Sequence, residues 1–137
     1  MIILRSTPGP FEVMFMLAAI VGGVTILFTS YMTVVGRTIP VWMVLYIGIG
    51  LVVGGAMSLY GILTKRGVGP LIERAGLALL VILFVTYTGL IFMAVGVRGA
   101  TSAVFFLAFA AASIARMHQI NKAFREAAEE LRERGAE

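Results

Sequence analysis

The chain contains no cysteine and no aspartate, and His118 is its only histidine. These absences remove disulfides, thiolate nucleophiles and Cys/His metal clusters. Little is left for catalysis, so an enzyme is the least expected class, and neither a metal nor a cofactor site is anticipated. Charge is also scarce. Only 13% of the 137 residues carry it, against about 25% in an average soluble domain. What fills the chain is apolar: 60% of residues are hydrophobic and the mean hydropathy is +1.00. A soluble core cannot hide several apolar runs that are each long enough to cross a bilayer, so the composition reads as an integral membrane protein. A net charge of +4 and a pI near 10.0 do not point to nucleic acid here. The basic residues sit at the ends of apolar runs, where a membrane surface accounts for them.

A helix needs about 20 apolar residues to cross the hydrocarbon. The pattern predicts an all-α fold with four transmembrane helices at about 11–32, 40–63, 72–97 and 100–116. Pro10 suits the start of the first. Trp42, Tyr46 and Tyr60 lie towards the ends of the second, where amphipathic rings favour the headgroup level. The fourth is short for a span, and its reading relies on Arg116 snorkelling towards the interface. Although Arg5 precedes the first run, Pro8 and Pro10 separate them and the run is longer than a signal core, so a retained first span is expected.

Placing the N-terminus inside puts Arg5, Lys65, Arg66, Arg74, Arg116, Lys122 and Arg125 on the inner face, against Arg37 and Arg98 outside. The expected arrangement is multi-pass in the cytoplasmic membrane with both termini cytoplasmic. Lys65, Arg66, Arg74, Arg116, Lys122 and Arg125 then act as topology anchors. The chain divides into a four-helix transmembrane domain, 1–116, and a charged tail, 117–137. The tail reads as an amphipathic cytoplasmic helix, with Met117, Ile120, Phe124 and Leu131 on one face. Arg116, Lys122 and Arg125 come first, and the five glutamates all fall at or beyond position 126, in a mixed end that also carries Arg132 and Arg134. The tail serves either as a solvated anchor or as a short coiled-coil contact.

Inside the spans, Gly50, Gly54 and Ser58 recur at intervals of four, with Gly61 near the same face. Such small residues let helix backbones approach closely in lipid. The face serves packing within the chain or self-association, and Ala108, Ala111, Ala112 and Ala115 invite the same two readings. Thr25, Thr29 and Thr33 form a polar stripe on the first span. It is either helix glue, each hydroxyl bonding one turn back, or a pore lining. No Glu, Lys, Arg or His lies deep in the first three spans, since Glu12 and Glu73–Arg74 stand at helix starts. An ion-coupled transporter usually needs such a group, so that class is disfavoured.

The segment from "ERAGLALL" through "TSAVFFLAFAAASIARMHQI" is similar to membrane proteins of phages that infect actinobacteria. The general plan of four spans, short loops and a charged tail resembles the holins of phage lysis cassettes. The resemblance covers about the second half of the chain. It implies a protein with no catalytic residues that accumulates in the cytoplasmic membrane, self-associates as a homo-oligomer and permeabilises the bilayer during host cell lysis. Two other classes fit the residues. One is a non-catalytic accessory subunit packed against a larger membrane protein partner, and the other is a small channel or uncoupled transporter.

Overall fold

The computed structural model of the protein describes residues 10–29, 39–64 and 68–134. Among these, the regular elements are all helical and no strand occurs. The helices are α1 (Pro10–Thr29), α2 (Val41–Leu63), α3 (Gly69–Val95) and α4 (Ala100–Arg134), with a single 3₁₀ turn, Gly96–Gly99, between the last two. Three stretches are long and apolar enough to cross a membrane: Glu12–Thr29, Val41–Leu63, and Gly69–Glu129, which holds α3, the turn and most of α4.

Prolines and glycines set the boundaries. Pro10 opens α1 and Pro70 lies in the first turn of α3, where a missing N–H costs nothing and the fixed φ suits the helix. Because of that start signal, α3 begins at Gly69, a few residues before the run expected from 72. It ends at Val95 because Gly96 takes φ 61° and ψ −144°, a combination essentially confined to glycine. The chain reverses there. As a result α4 runs back along α3, bringing Phe106 against Phe84 and Tyr87, with ring centroids 6.0 and 4.8 Å apart. Beyond the turn α4 continues unbroken for 35 residues, about 52 Å at 1.5 Å per residue.

Each helix packs antiparallel on its sequence neighbour. On the α1–α2 seam a methyl placed on Gly23 would meet the Gly48 carbonyl oxygen at 2.7 Å, and one on Gly55 would meet Ile20 at 2.8 Å. The α2–α3 seam is as tight: Gly54 faces Leu80 at 3.1 Å by the same measure, and Gly76 lies against Ser58. Lipid supplies no hydrophobic drive between helices, so these close approaches, rich in dispersion contacts, hold the bundle. Leu77, Leu80 and Leu83 of α3 are fully buried, making α3 the centre of the bundle. Phe15 of α1 closes it by reaching Phe84 of α3 and Phe109 of α4, at centroid distances of 6.1 and 5.1 Å.

Candidate functional site

Alternating helix directions put the starts of α1 and α3 at one end of the bundle, and α4 returns to that level at Arg116. Three charged side chains meet there. The Arg116 guanidinium donates from Nε to Glu73 Oε1 at 2.8 Å and pairs through Nη1 with Glu12 Oε1 at 3.1 Å. Nη1 also donates to Gln119 Oε1 at 3.4 Å. The side chains of Arg116 and Glu73 are 11% and 6% exposed, and that of Glu12 is 24% exposed. A charge withdrawn from water to this degree is tolerated only when paired and hydrogen-bonded. One guanidinium fork between two carboxylates provides that pairing.

The supporting backbone is local and specific. Glu12 lies in the first turn of α1, where the helix dipole favours a carboxylate. Glu73 is covered by α2, whose Gly61 rests directly on the Glu73 backbone; a methyl there would overlap it. Beside the ion cluster a cavity of about 210 Å³ opens between α1 and α4, with Phe15, Met16 and Leu77 facing Ala112 and Ser113. The Ser113 hydroxyl donates back to the Phe109 carbonyl at 3.0 Å, so the walls of the cavity are apolar and its charge lies at one end. Chemically this is a latch. It holds three helices, α1, α3 and α4, through charge, and among the described residues no group of three or more His, Asp or Glu is placed to bind a metal.

The sequence placed Glu12 and Glu73–Arg74 separately at helix starts and sent Arg116 out to the interface. The structure instead turns Arg116 inward to Glu73 and Glu12, and leaves Arg74 exposed. The available signal was topological: with alternating spans, all three residues fall at the same end.

The remaining candidates are distributed as follows. Gly54, Ser58 and Gly61 are buried and Gly50 half-buried, all against α3, so this face is occupied within the chain. Ser58 is completely buried, and its hydroxyl has no hydrogen-bond partner. Thr25 and Thr29 face outward; their hydroxyls donate to the carbonyls of Val21 and Thr25 at 2.8 and 2.6 Å. Lys122 and Arg125 are exposed, Lys122 beside Glu126 at 3.7 Å. Thr33, Lys65 and Arg66, together with Arg5 and Arg37, lie outside the described residues. On the tail's apolar face, Ile120 is buried in the core cluster and Met117 and Phe124 pack against it, while the Leu131 side chain lies outside the described residues. Comparison of the chain with known protein families, with characterised proteins and with solved structures returns no match.

Proposed function

We propose that this chain is a holin-like protein of the cytoplasmic membrane. It accumulates as a closed four-crossing bundle with both ends cytoplasmic, then self-associates and permeabilises the bilayer. Its orientation is supported by the basic residues: Arg74, Arg116, Lys122 and Arg125 belong to one end of the bundle and Arg98 to the other.

The observation that carries the reading is the Glu12–Arg116–Glu73 cluster at the seam between the first and last helices. A permeabilising protein needs a silent state that lipid accepts and a second state that exposes polar groups. In the closed bundle the intramembrane charges satisfy one another, and the threonine hydroxyls are spent on their own helix. Separating α1 from α4 breaks the Glu12 pair and opens the apolar cavity. That is the step from silence to lesion, and it presents α1, whose Thr25 and Thr29 already face outward, to the assembly.

The test is expression from a tight promoter in a bacterium, with membrane potential followed by dye alongside viable counts. Wild type should depolarise abruptly after a delay, and Glu12→Gln should change that delay at equal membrane abundance. Normal potential at high abundance rejects the proposal. In that case, co-purification of a host membrane protein after mild detergent extraction would favour an accessory subunit.

A further inference from the structure

The seams of the bundle are unequal. Gly23, Gly48 and Gly55 interlock α1 with α2, and Gly54, Gly61 and Gly76 interlock α2 with α3. The contacts that join α1 to α4 are instead gathered in the first two turns of α1, at Glu12 and Phe15, and the 210 Å³ cavity lies beside them. Past that point α4 turns Val104, Phe105, Leu107 and Ala108 outward. Only 17% of Glu12–Thr29 is buried in the bundle, against 39% of Val41–Leu63.

We propose that the α1–α4 seam is an exchangeable interface whose second occupant is another copy of this chain. Glu12 and Phe15 of one copy take Arg116 and Phe109 of the next. This rests on the permeabilising reading and names the surface through which the copies join. When the seam opens, the tight α1–α2 and α2–α3 seams and the α3–α4 hairpin stay intact. The result is an arc of four helices with the Glu12 carboxylate and Phe15 at one edge and, at the other, Phe109 and the Arg116 guanidinium, which keeps its bond to Glu73. Those edges are complementary, and the contact is head to tail, the kind that builds rings or open chains rather than closed two-fold dimers. What a closed copy satisfies within itself, neighbouring open copies satisfy between them. The glycine face of α2 takes no part, being occupied inside each copy.

The full chain lacks cysteine, so introduced thiols report without background. Two differently tagged copies, one with Met16→Cys and one with Ala112→Cys, are co-expressed and treated in membranes with a short bismaleimide. Both positions line the cavity. The expected result is a mixed dimer severalfold above a control pairing Met16→Cys with Met93→Cys, since Met93 is 86% exposed on α3. Adding Glu12→Arg to the first copy should return the yield to the control level. Mixed dimer at the control level overturns the proposal, provided the doubly substituted chain crosslinks within itself. Phe15→Cys with Ala115→Cys is a second pair for the same comparison, in case a variant fails to accumulate. Membrane potential is recorded in the same cells. Depolarisation without mixed dimer rejects exchange and leaves the permeabilising function standing. Mixed dimer without depolarisation supports exchange and rejects that function.

Discussion

Arg116 and Glu73, 43 positions apart in sequence, are joined at 2.8 Å in the interior of the bundle, and Glu12 holds the same guanidinium from the opposite side. Breaking a buried pair by removing one partner typically costs about 3–5 kcal/mol, because the other charge is stranded. Arg116→Met should therefore markedly lower the thermal midpoint of the detergent-solubilised protein, while Arg116→Met with Glu73→Leu should regain most of the loss. Equal destabilisation in the single and double variants would contradict a paired interior charge.

Glu12 is more exposed than Glu73, so its contribution to stability is screened. Glu12→Gln should cost about 1 kcal/mol or less by that argument, yet change the timing of depolarisation more than Glu73→Gln does at matched abundance. Midpoint and timing measured on the same variants separate holding the fold from holding the seam.

Gly61 and Gly89 are opposite cases. A methyl at Gly61 overlaps the Glu73 backbone, which cannot yield as a side chain tip can; nothing lies within 4 Å of one at Gly89. Gly61→Ala should destabilise by about 1–3 kcal/mol through overpacking. Gly89→Ala should be neutral or stabilise by up to about 1 kcal/mol through helix propensity. Thermal scans of the two variants should move in opposite directions or differ clearly in size.

Ser58 carries a buried hydroxyl without a partner, and an unsatisfied buried polar group costs about 1–3 kcal/mol. Ser58→Ala should therefore leave the midpoint unchanged or raise it. A clear fall would mean that the hydroxyl contributes to the close approach of α2 and Gly76.

Gly96→Ala places a side chain where φ is 61° and ψ −144°, at a cost of about 1–3 kcal/mol. The strain falls on the reversal between α3 and α4, so the variant should lose protease resistance at that turn before it does elsewhere.

The helices were legible because apolar runs of membrane-spanning length are bounded by Pro10, Pro40 and Pro70. The close-packing face was legible from the spacing of Gly50, Gly54 and Ser58. Its partner was not, since small residues at that interval serve a neighbouring helix and a second copy equally well. The ion cluster was missed for a different reason. Glu12, Glu73 and Arg116 each sit beside a helix end or the end of an apolar run, where an isolated charge is ordinary. Their common level follows from the alternation of helix direction, but their inward rotation depends on tertiary packing, notably the contact of Gly61 with the Glu73 backbone. A second miss follows from the first: Arg74 and Arg116 look alike in sequence, yet one faces out and the other in.

Helix α4 has no joint. It passes from the cavity wall at Ala112, through Arg116 and the buried Ile120, to Arg134 as one rod, about 15 Å of which lies past Phe124 by helical rise. A rod transmits torque. A rotation of its Arg134 end about the helix axis would therefore be felt at the guanidinium near its middle, with the packed Ile120 lying between them. The charged ending is thus anchored twice, at Ile120 and at Arg116.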